Sequence, residues 1–379
     1  VRVRGRCVAA EVAAKIAVSA ASKLAAAGGG GGGGGGAASA SASAAASSLH
    51  DPPVRRPAAQ RGHKVASLSF YLVVVGGIAL ATAFALLITH LVLLASNDRA
   101  LRAPTAGASG AAVIAGVNIS GPLGEAIAGG GVGDAERRSG VGDVGAALTY
   151  VGTAALGLSL IARALVVGRG PWGNLYEFSI SFAFGICAAT IYFDRGGRLR
   201  ALGAIAVGVA LGLLAYAATL PNEVVQLVPA LQHPLLLTIH VGLAVLSYGI
   251  FAFAFAAGVA YLIQGDQDRF SWLPPAKRLD QVAFQAVTVG FPLFAGMLIL
   301  GSIWGSIAWS RYWGWDPKET AALATWLVYA VYLHARSQRG WQGRPAALLL
   351  VIGFGAVLLT YSGNLWFSGL HTYSGLPTP

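Results

Sequence analysis

Tryptophans and histidines carry most of the chemistry in this sequence. Residues 304–319 read WGSIAWSRYWGWDPKE and hold four of the nine tryptophans, Trp304, Trp309, Trp313 and Trp315. Indole favours the membrane–water boundary, so an interfacial belt accounts for one or two of them. Four together, interspersed with Gly305, Ser310 and Gly314, also fit a flat aromatic platform with backbone room for a planar ligand. Both readings stay open on composition alone. Asp316, Pro317 and Glu319 then read as an N-cap, a first helical residue and the third member of a capping box. The platform should therefore end abruptly at a helix start, with Asp316 acting mainly as its cap. Arg311 and Lys318 are cations suited to a carboxylate-bearing ligand, although exposed basic residues are commonplace.

His240 lies shortly inside one apolar run, and His371 follows another by a similar margin. At about 1.5 Å per helical residue, both fall within roughly 8 Å of one boundary. A pair of neutral imidazoles there could ligate haem iron axially, while each alone could equally be a polar surface residue. His334 lies roughly 27 Å further along the helix that Pro317 begins, towards the other boundary. It either serves a function within the span or marks the helix end. His90, in the first span, reads as structural, and His233, just before Pro234, reads as a cap or loop residue. Asn174 and Glu177, in PWGNLYE at 171–177, open another apolar run. A carboxylate at that depth must be paired or wet, which leaves capping and ligand-facing roles open.

The elements that must position these residues are membrane helices. The chain has 379 residues, 55% hydrophobic and 11% charged, whereas soluble domains carry about 25% charged residues. Eight runs approach the roughly 20 apolar residues that a bilayer requires: 68–95, 144–161, 175–193, 201–220, 235–263, 282–303, 321–333 and 346–366. The seventh is short, but its helix can begin at Pro317 and continue past His334. The fold class is thus an all-α polytopic membrane protein with about eight transmembrane helices. Basic connections at 195–200, 269–278 and 336–344 belong in the cytoplasm. That places the tryptophan-rich segment, the 171–174 turn and the C-terminus outside. Parity puts the start of the first span outside too, against the pull of Arg163, Arg169 and a basic N-terminal tail.

Residues 1–66 hold nine Lys or Arg against two acids, which supplies +7 of the +11 net charge. This Ala/Ser/Gly-rich tract, with nine consecutive glycines at 28–36, cannot bury a core and is expected to be a disordered low-complexity extension. Its composition resembles an organelle transit peptide, or a reading frame extended too far upstream. Residues 97–143 form a long Gly/Ala-rich loop. The charge gives no support to nucleic-acid binding. Cys7 and Cys187 make no CxxC motif, so neither a thiol redox centre nor a cysteine zinc site is encoded.

WGWDPKET at 313–320, preceded by Trp304 and Trp309, resembles the tryptophan-rich WWD signature of haem-handling membrane proteins. NLYEF at 174–178, IHVGLAVLSY at 239–248 and GLHTYSG at 369–375 match further landmarks in the same order. Together they resemble the CcsA/ResC-type subunit of the System II cytochrome c synthase, called CcsB in actinobacteria, over about 144–379. The resemblance implies that His240 and His371 are the external haem-ligand pair. It makes His334 a transmembrane histidine and 304–316 a haem-binding segment.

It further implies a subunit of a cytochrome c haem lyase that works with a ResB/Ccs1-type membrane partner. Haem b, held transiently, would be presented outside for thioether attachment to apocytochrome c CxxCH motifs. The thiols belong to the substrate, so no catalytic residue is expected beyond those that position haem. The implied location is the bacterial plasma membrane, or the thylakoid membrane in a plastid-type system. A System I-type haem-delivery protein is the alternative within the superfamily. A multi-pass transporter with merely interfacial tryptophans is the alternative outside it. Broken helices and internal repeats, the usual signs of a transporter, are not apparent in the sequence.

Overall fold

A computed structural model describes residues 56–102, 140–195, 197–223, 234–338, 341–367 and 369–371. Among these are eight α-helices: α1 (Arg56–Arg102), α2 (Gly140–Val167), α3 (Leu175–Phe193), α4 (Arg200–Ala217), α5 (Pro234–Gln264), α6 (Ala276–Trp309), α7 (Pro317–Ser337) and α8 (Arg344–Trp366). No strand occurs among the described residues. Seven helices are long and apolar enough to cross a membrane. The exception is α7, the helix whose apolar run is short in the sequence. Helix α1 begins at Arg56 and ends at Arg102, so it takes in the end of the extension and the start of the long loop. Residues 140–143, the end of that loop, open α2, and the rest of those two segments, 1–55 and 103–139, lies outside the described residues.

Helix α5 is the central element. In its apolar window 78% of residues are buried, against 28% in those of α1 and α6. Ala252, Ala254, Ala256, Ala257 and Ala260 are fully buried on it, and small residues let neighbouring helices approach within van der Waals contact. Helix α7 owes its low hydropathy partly to a polar stripe turned inwards, with Thr325, Tyr329 and Tyr332 buried. Tyr329 stacks on Phe251 of α5, with ring centroids 3.7 Å apart and planes 11° apart. Thr325 and Thr360 join α7 to α8 by a hydroxyl–hydroxyl bond of 3.0 Å.

The first two helices run antiparallel. Ser69 bonds to Ser159 near one end of the pair, and His90 packs beside Gly142 near the other. The start of the first span therefore lies level with the end of α2, as parity required. Arg163 and Arg169, which opposed that placement, do not act as free positive charges. Arg163 Nε and Arg169 Nη1 donate to the Glu177 carboxylate at 2.9 and 3.1 Å, and Arg163 Nη2 donates to the Glu223 carbonyl at 3.0 Å. The Gly173 amide adds a third donor to Glu177 at 2.7 Å.

Glu177 is thus the buried counter-ion of two arginines, its side chain 1% exposed. Removing the charge strands Arg163, whose side chain is 6% exposed. Breaking such a pair costs about 3–5 kcal/mol. Glu177→Gln is expected to lower the unfolding temperature in detergent sharply. An unchanged melting curve would show that the arginines find other partners.

Candidate functional site

The ends of α5, α6, α7 and α8 and the start of α3 surround one cleft, with about 1130 Å³ of empty space including its open mouth. Its lining residues run from Trp172 to His371 in the chain. Between α6 and α7 the chain reverses through Ser310 at φ +58° and Trp315 at φ +57°, a left-handed conformation uncommon for side chains of this size. Asp316 then caps α7 in a complete capping box with Pro317 in its first turn. Glu319 accepts from the Gly314 and Asp316 amides at 2.8 and 3.2 Å. The helix start read from the sequence lies where it was expected.

The aromatic segment is not a flat shelf. Trp304 and Trp309 belong to the last turns of α6, and their rings meet edge to face at 4.7 Å and 74°. Trp313 and Trp315 meet at 5.9 Å and 88°. Crossed rings satisfy the aromatic quadrupoles better than a coplanar row, and helical spacing cannot lay successive indoles in one plane. Trp304, Trp309 and Trp313 line the cleft. Trp315, expected to contact the ligand, is 69% exposed and is not part of the lining.

Both histidines reach this cleft. His240 Nδ1 sits 2.8 Å from the Met297 carbonyl, and the ring lies nearly parallel to Trp304 at 6.3 Å. On α6, a Cβ added to Gly301 would stand 2.6 Å from His240 Cε1, so the imidazole occupies space that only glycine leaves. His371 Nδ1 sits 2.8 Å from Asp316 Oδ2, and its ring lies 4.9 Å from Trp309 and 6.1 Å from Trp304. One indole, Trp304, is thus shared between the two imidazoles. An oxygen held on Nδ1 is the contact that fixes tautomer and ring orientation in imidazoles that bind a metal through Nε2.

Asp316 does more than cap. Besides the Lys318 amide at 3.0 Å, it accepts from the Leu370 amide at 2.5 Å and holds His371. Its side chain is 1% exposed. Burial alone would raise its pKa, but the His371 hydrogen bond and charge, with the Lys318 and Leu370 amides, outweigh that and hold it below the usual carboxylate range. Sequence reading missed this link because 55 residues separate the partners.

The remaining candidates divide. Asn174 lines the cleft and caps α3 by accepting from the Glu177 amide at 2.8 Å. Glu177 does not line it, and its carboxylate is the structural counter-ion described above. Arg311 is exposed and outside the lining, whereas Lys318 is within it. His334 is exposed in the last turn of α7, at the end remote from the cleft. His233 falls outside the described residues. Trp172, Phe178 and Tyr248 also line the cleft. The interfacial PWGNLYEF run was the only signal for the first two, and Tyr248 had none beyond its place in an apolar helix.

A family model described as cytochrome C assembly protein matches residues 172–371, the interval that supplies every wall of the cleft. The chain belongs to this family. It is 36% identical over 286 residues to "Cytochrome c biogenesis protein CcsA" of Synechococcus elongatus, covering 62% of this chain and 87% of that protein. The protein of the same description from Synechocystis is 34% identical over 275 residues, covering 56% and 82%. That from the red alga Porphyra purpurea is 31% identical over 287 residues, covering 63% and 90%. These matches and the seven apolar helices make the chain a multi-pass membrane protein of cytochrome c biogenesis, of the CcsA type that belongs to System II.

Proposed function

We propose that the cleft holds haem b between His240 and His371 and presents it outside for covalent attachment to apocytochrome c. The observation that carries this reading is the pair of imidazoles in one tryptophan-walled cleft, each anchored through Nδ1 by an oxygen. Neutral imidazoles fixed in this way are axial ligands for haem iron, and apolar indole walls suit a porphyrin. The chain's own residues bind and orient the porphyrin and shelter it from water. The thioether bonds would form between its vinyl groups and the two thiols of a CxxCH segment, which the substrate supplies. The test is direct: the chain purified in detergent should carry haem with the spectrum of a six-coordinate, low-spin iron. Apoprotein that takes up no added haem would refute the reading.

His334 cannot share the iron of the cleft, because it ends α7 on the opposite side. In this proposal it belongs to a second, transmembrane haem site completed by a ResB/Ccs1-type membrane partner, through which haem reaches the cleft. His334→Ala in the complex should then deplete the cleft of haem while His240 and His371 are intact. Full covalent cytochrome c formation by that variant complex, or by this chain without a partner, would contradict the arrangement.

A further inference from the structure

We propose that Lys318 and the indole N–H groups of Trp304 and Trp172 form a subsite in the cleft that receives the propionate carboxylates of the porphyrin; this rests on the haem reading above. The three side chains line the same cleft, and all are hydrogen-bond donors without acceptor capacity. Trp304 is 2% exposed. The Nε1 atoms of Trp304 and Trp172 are buried without a hydrogen-bond partner among the described residues. A buried donor is rarely left unmatched in a finished site, and both indoles belong to the walls of this cleft.

Lys318 supplies the charge. Its backbone amide is fixed on Asp316, and its ammonium lies 5.9 Å from the Phe178 ring centroid. Among the described residues the ammonium makes no ion pair. The two acids beside it are already engaged, Asp316 by His371, Leu370 and the Lys318 amide, and Glu319 by the amides of Gly314 and Asp316. A cation and two neutral donors select an anionic oxygen ligand. On a porphyrin the only such groups are the propionates. The remaining walls, Trp309 and Trp313 among them, are apolar and suit the macrocycle.

The proposal is tested by titrating the full chain in detergent with haem and with its dimethyl ester, in which both carboxylates are capped. Soret absorbance and tryptophan quenching report binding. Wild type should prefer haem over the ester by about tenfold or more, the range of a charge-assisted hydrogen bond. In Lys318→Met that preference should fall towards unity, with ester affinity and the low-spin spectrum unchanged. Trp304→Phe should lower the preference partially. Equal affinities of wild type for the two porphyrins would overturn the subsite and leave the haem reading standing. So would an equal loss of both porphyrins in Lys318→Met. If wild type binds neither porphyrin, the haem reading fails and the subsite falls with it.

Discussion

Alanine at either His240 or His371 is expected to abolish the low-spin haem spectrum of the purified protein. Each substitution removes one axial ligand while the tryptophan walls remain. Residual haem should therefore be five-coordinate or held by a weaker ligand, with retention reduced about tenfold or more, as when a metal's inner ligands or their supports are removed. The geometry adds an independent way to reach the same state. Gly301 sits where a Cβ would come within 2.6 Å of His240 Cε1, so Gly301→Ala should displace the ring without altering its chemistry. Its spectrum should shift in the direction of His240→Ala, whereas His233→Ala should behave like wild type. Unchanged low-spin spectra from both ligand variants would disprove the pair.

How much of this was legible in the sequence depended on the range of each interaction. The eight helices follow from local composition, and the start of α7 from four consecutive positions, Asp316 to Glu319. Both are properties of neighbouring residues. The shape of the aromatic segment was not legible in the same way. Four tryptophans announce a platform, but their crossed rings depend on Trp304 and Trp309 staying on α6 while Trp315 turns outwards at positive φ. Glu177 was ambiguous for a related reason. Its role depends on Arg163 and Arg169, which approach only when α2 and α3 pack. Those contacts also remove the objection that the two arginines raised to the orientation of the first helices. The sharpest limit was Asp316, whose capping role is local and whose second role depends on a residue beyond the end of α8.

That second role gives the last prediction its force. As a cap alone, Asp316 would tolerate asparagine, since Asn caps helices about as well as Asp. In the structure, however, its two oxygens accept from the Lys318 and Leu370 amides and from His371. An asparagine amide nitrogen would have to face one of these donors with a donor of its own. Asp316→Asn is therefore expected to release the Leu370–His371 segment and weaken haem retention by about 10- to 100-fold, the usual effect of losing a ligand's hydrogen-bonded carboxylate. Asp316→Ala should add the loss of the cap, about 1 kcal/mol.

A companion variant leaves the carboxylate untouched. A Cβ on Gly369 would collide with Asp316 Oδ1, so Gly369→Ala should push the same segment away and reproduce the Asn phenotype with α7 still capped. The pH dependence follows from the depressed carboxyl. Its folded pKa is below the ordinary carboxylate value, so the stabilisation it gives is present above that ordinary value. It is lost only as pH falls through the depressed one. Haem retention should consequently show no Asp316-dependent step between about pH 5 and 8, and an acid limb below the usual carboxylate range that disappears in Asp316→Asn. An Asn variant with wild-type haem affinity would return Asp316 to the role of a simple cap and leave His371 positioned by the tryptophans alone.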